Sequence, residues 1–98
     1  MIKQTEQFIV INKAGNKILA KDAIRFHDIE KVFKESDKAW HFRSFLYDSE
    51  ENCNSIISWI DTYSKDTSLN FHRTRNCKEM LKEGFIIKKA TVVFNFAI

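Results

Sequence analysis

Leu69-Asn70-Phe71-His72-Arg73-Thr74-Arg75-Asn76-Cys77-Lys78-Glu79-Met80-Leu81-Lys82-Glu83-Gly84 is the stretch whose reading decides the fold. Its first part, Leu69 to Thr74, alternates, with Leu69 and Phe71 on one side and Asn70, His72 and Thr74 on the other, which predicts a short strand. Cys77, Met80 and Leu81 then recur at helical spacing and predict a two-turn helix that stops at Gly84, a C′ residue in the left-handed conformation. On such a strand Arg73 and Arg75 project from the same face as Phe71, and His72 projects from the opposite one. Most of the chain's positive excess lies on the C-terminal side, around this stretch. From Lys65 to Lys89 there are seven Lys and Arg against three Asp and Glu, whereas Met1 to Ser64 holds nine against ten. That asymmetry points to an acidic partner.

Working outward from this stretch, Ser49 opens the clearest helix of the chain. Its hydroxyl can cap the first turn, Glu50 and Glu51 suit the positive end of the helix dipole, and Cys53, Ile56, Ile57, Ile60 and Tyr63 form an apolar stripe. Before it, Ala39 to Tyr47 carries bulk on both alternating sides: Trp40, Phe42 and Leu46 on one, Phe45 and Tyr47 on the other. That pattern predicts a strand buried on both faces, near the middle of a sheet. At the N-terminal side, Phe8-Ile9-Val10-Ile11 and Ile18-Leu19-Ala20 flank Asn12 to Lys17 and predict a hairpin, with Gly15 and Asn16 supplying positive φ. Asp28 can cap a short helix over 29–35, where Ile29, Val32 and Phe33 recur at helical spacing. The closing run alternates from Ala90 through Val92, Phe94, Phe96 and Ile98, with Val93 and Ala97 apolar on the other side. Either this last strand is central, or part of its outer face meets a partner.

The expected order is therefore β-β-α-β-α-β-α-β, and the expected fold class is α+β. A single sheet of about five strands carries two or three helices mainly on one face. With 98 residues, 44% of them apolar and 30% charged, residues 1–98 form a single domain with the balance of a folded chain. No Pro and two Gly leave little material for linkers, so connections should be short. The first residues lack the apolar run of a secretory signal, and no window approaches the roughly 18 apolar residues of a membrane span, which points to a cytoplasmic protein with no membrane partner. Lys, Ile, Phe and Asn are abundant and all have AT-rich codons, a hint of a bacteriophage or low-GC bacterial genome.

Catalytic and ligand chemistry is sparsely represented. Cys53 and Cys77 each fall on the apolar side of a helix pattern and read as buried, reduced thiols, neither a disulfide nor a nucleophile. His41, Cys53, His72 and Cys77 lack the tight pair spacing of structural zinc sites, two isolated glycines cannot build a phosphate loop, and Glu50 and Glu51 suit capping better than acid–base work. No metal, cofactor or catalytic residue is expected. Arg73 and Arg75, extended by Lys78 and Lys82, form the candidate binding surface, with Trp59 or Trp40 as an apolar anchor.

The leading expectation is a small non-enzymatic binding protein that meets an acidic protein surface, such as a phage-encoded inhibitor or adaptor of a host protein. Surplus apolar bulk also suits a homo-oligomer. The alternative is RNA or DNA binding through the same cations, with Phe71 as a stacking platform. A third option is a metal-independent nuclease, in which His72 works with His27 or His41 beside the arginines.

Overall fold

The computed structural model describes residues 2–35, 39–66 and 71–95. Strand β1 (Ile2–Ile11) leads into β2 (Lys17–Ala20) and β3 (Arg25–Asp28). Helix α1 (Ile29–Glu35), a 3-10 segment (Ala39–Phe45), α2 (Glu50–Ser64) and α3 (Phe71–Glu83) follow, and β4 (Ile86–Asn95) closes the series. The four strands form one antiparallel sheet in the order β3-β2-β1-β4. The α+β class stands as expected. The strand count and order do not, and three differences account for this.

First, the basic stretch is helical. Residues 71–74, expected to end a strand, form the first turn of α3, and Thr74 Oγ1 donates to the Asp66 carbonyl at 3.2 Å. Leu69 and Asn70 lie outside the described residues. Six alternating positions are too few to oppose a helical stripe that continues through Cys77, Met80 and Leu81. Second, the Ala39–Tyr47 segment is not a central strand. It is a 3-10 turn followed by a single bridge, in which Phe8 and Tyr47 exchange backbone N–H···O bonds of 2.8 Å. Phe45 is buried with Ile11, Ile18 and Ala20 on one side of the sheet, and Tyr47 with Val10 and Leu19 on the other. Apolar bulk on both sides marks a chain that crosses from one layer to the other. Third, the hairpin is followed by a further strand, β3, after a turn at Lys21–Ile24 in which the β-branched Ile24 takes φ 47°.

The other elements follow their local chemistry. Asn12 is buried and organises the β1–β2 turn: its Oδ1 accepts from the Asn16 and Lys17 amides at 3.0 Å, and its Nδ2 donates to Asn16 Oδ1 at 2.8 Å. Gly15 takes the left-handed conformation there (φ 76°) and Asn16, contrary to expectation, does not. Asp28 caps α1 by accepting from the Glu30 and Lys31 amides, and Ser49 Oγ caps α2 by accepting from the Asn52 amide at 3.1 Å. Gly84 (φ 77°) ends α3 as expected, its amide bonded to the Met80 and Leu81 carbonyls.

The two sheet faces are covered unequally. Val10 and Leu19 pack under α2 and α3, against Cys53, Ile60, Cys77 and Met80. Alternate residues Ile11, Ile18 and Ala20 turn to α1 and the 3-10 segment. The two long helices thus share one face, as the expectation of helices mainly on one face requires, and the other face carries the shorter pieces. No helix of the described residues is long and apolar enough to cross a membrane.

Candidate binding surface

At about 100° per residue, the helical course of α3 rearranges the basic residues. Arg73 and Arg75, two positions apart, point to opposite sides of the helix, so the shared face expected for them on a strand does not form. Arg75, Lys78 and Lys82 instead fall within one exposed sector, with about 10 Å of helix rise between the first and last. Glu79 lies among them, its Oε1 3.4 Å from Arg75 Nε; both side chains are more than half exposed, so the pair stabilises the helix by only a few tenths of a kcal/mol. Lys78 and Lys82 carry no ion pair among the described residues. Arg73 is exposed but turned toward the packed side, where its charge acts on the Cys77 thiol.

The apolar half of the expected surface is separate. Trp59 is half-buried at the edge of the core and stacks on Tyr63 at 3.6 Å. It also forms one wall of a shallow cleft of about 400 Å³, shared with Lys21, Ile24, Tyr47, Asp48 and Asn52. Two of the polar groups there are already engaged by the fold: Lys21 Nζ donates to the Leu46 carbonyl at 2.7 Å and lies 5.6 Å from the Tyr47 ring centre, while the Tyr47 hydroxyl donates to the Leu19 carbonyl at 3.2 Å. Burial pushes the Tyr47 phenol far above its ordinary range, so it stays a neutral donor. Trp40 lies in the 3-10 segment, and its side chain, like those of His41, Phe71 and His72, lies outside the described residues.

His27, one partner considered for His72 in acid–base chemistry, lies on the face of the sheet away from α3, its ring edge-on to Phe45 at 5.4 Å. Burial, reinforced by Arg25 and Lys31, lowers its pKa and favours the neutral imidazole. Both cysteines are free and buried, with pKa values raised first by burial. Among the described residues no three His, Cys, Asp or Glu side chains gather as metal ligands.

Sequence reasoning missed Phe33, which is 61% exposed and lies 5.7 Å from the Phe42 ring, because helical spacing placed it with Ile29 and Val32 in a buried stripe. It also missed the grouping of Lys21 with Tyr47, which depends on the Phe8–Tyr47 bridge and has no local signal. Comparison with known protein families, curated proteins and solved structures returns no match.

Proposed function

We propose that this chain is a small non-enzymatic binding protein, an inhibitor or adaptor, that docks the Arg75–Lys78–Lys82 face of α3 on an acidic protein surface. The observation that carries the reading is helical register: three cations share one exposed sector, and the single acid among them is held by Arg75. The face sits on a helix anchored by buried Cys77 and Met80, so the charges are presented from a rigid support. Arg73, on the other side of the helix, is not part of this face. Trp59 offers a half-buried aromatic of the type enriched at binding hot spots.

The test is affinity capture from cell lysate, with the wild type compared with Arg75→Glu/Lys78→Glu/Lys82→Glu. The expected result is a protein retained by the wild type and lost by the variant. Retention that survives all three charge reversals overturns the proposed face. Filter binding of single- and double-stranded nucleic acid across a salt series reports on the RNA or DNA alternative. Binding that falls log-linearly with salt would transfer the face to phosphate, and no retention at low salt would remove that alternative.

A further inference from the structure

We propose that β4 is a self-association edge, across which two copies of the chain join their sheets through antiparallel β4–β4′ pairing with the two-fold axis at Thr91. This rests on β4 alone and stands or falls independently of what α3 binds.

The argument starts from which backbone groups are free. Phe8 exchanges both of its backbone bonds with Tyr47, and the Asn12 amide donates to the Lys17 carbonyl, so the even-numbered residues of β1 turn their N–H and C=O groups away from β4. The odd-numbered residues turn toward it. In the observed register Ile9 faces Lys88, Gln7 faces Ala90, Thr5 faces Val92 and Lys3 faces Phe94, so these pairs make the β1–β4 bonds. Ile87, Lys89, Thr91, Val93 and Asn95 therefore direct their N–H and C=O groups outward, and among the described residues no strand takes them up.

Such a ten-residue edge without Pro, Gly or bulge is a template for another strand. The other edges are less suited. β3 spans only four residues, and the free side of β1 is interrupted by Tyr47 at Phe8 and by β2 at Ile11 and Asn12.

The distribution of outward groups selects one pairing. A two-fold axis at Thr91 sets Ile87 against Asn95, Lys89 against Val93 and Thr91 against its own copy, so all five outward residues of each chain are used, in about ten N–H···O bonds. The same register places Lys88 opposite Phe94, about 20 Å along the strand from the Lys88 of the second copy, and so avoids the lysine repulsion of an in-register parallel pairing.

A second copy also supplies what this part of the fold lacks. Ile2 to Gln7 and Ala90 to Asn95 form a two-stranded ribbon that lies beyond the β2 and β3 pairings, in a molecule 54 Å long and 27 Å wide. Two strands alone are marginal in water. Joining two ribbons gives a four-strand unit, β1-β4-β4′-β1′, within one continuous eight-strand sheet.

Sedimentation equilibrium of the full chain tests the proposal, with the wild type expected at twice its 11.6 kDa mass. Thr91→Pro should halve that mass while leaving the circular dichroism of the fold unchanged, because the lost N–H points outward and Pro is tolerated at such edge positions. Thr91→Cys should form an intermolecular disulfide under mild oxidation, since paired Cα atoms about 5.5 Å apart lie within disulfide reach, whereas Lys88→Cys should not. The native thiols are buried and do not compete. A wild type that stays at 11.6 kDa at every concentration, a folded Thr91→Pro that remains dimeric, or Lys88→Cys cross-linking as fast as Thr91→Cys would each overturn it.

Discussion

Ile60 is fully buried between α2 and the sheet, and Ile60→Ala should destabilise the protein by about 2–5 kcal/mol in urea unfolding, the range for a cavity left by a large aliphatic residue. A loss below about 1 kcal/mol would mean that the α2–sheet core is not packed as described. Cys53 and Cys77 give a second residue-scale outcome. Burial raises both pKa values, so neither thiol should react with a disulfide reagent in the native state, and both should react after denaturation. His27 gives a third. Its folded pKa lies below the ordinary 6.5, so the unfolded chain binds the proton more tightly. The stability due to neutral His27 is complete above about pH 6.5 and is lost as pH falls toward the lower folded value. His27→Gln should therefore unfold with a shallower loss between about pH 7.5 and 5.5, and an identical loss in both proteins would remove His27 as a cause. Several of these residues were legible from the sequence, because Ser49, Asp28 and Gly84 signal element ends through local chemistry, and the cysteines fall on helical stripes.

At the scale of elements, legibility depended on length. α2 repeats its stripe over four turns and was readable, with its cap, from local sequence alone. The start of α3 was not, because Leu69 to Thr74 offers only an alternation short enough to arise inside a helix. Ala39–Tyr47 failed for a different reason: residues that serve two layers resemble a strand buried on both sides, and only the crossing distinguishes them. Gly84 tests how α3 is joined to the hairpin. Its φ of 77° suits glycine, and an added Cβ would lie 2.7 Å from the Lys13 side chain. Gly84→Ala should lower stability by about 1–2 kcal/mol, mostly through left-handed strain, because the Lys13 chain can move aside. A neutral substitution would show that this joint is not held as described.

For the whole molecule, net charge was readable but its arrangement was not. The excess on the C-terminal side is a matter of composition, whereas the face that displays it depends on whether residues 71–75 are helix or strand. A strand couples Arg73 to Arg75; the helix couples Arg75 to Lys78 and Lys82 and turns Arg73 aside. The edge position of β4 likewise came from long-range pairing, which no local pattern encodes. The sequence left this strand either central or with part of its outer face against a partner, and among the described residues it lies at the edge of the sheet.

The most direct test of the proposed binding face is a set of single charge reversals along α3, with affinity for the captured acidic partner measured for each. Arg75→Glu, Lys78→Glu and Lys82→Glu should each weaken binding at least about tenfold, while Arg73→Glu should change it only slightly. Equal losses at Arg73 and Arg75, or none at Arg75, Lys78 and Lys82, would contradict the account.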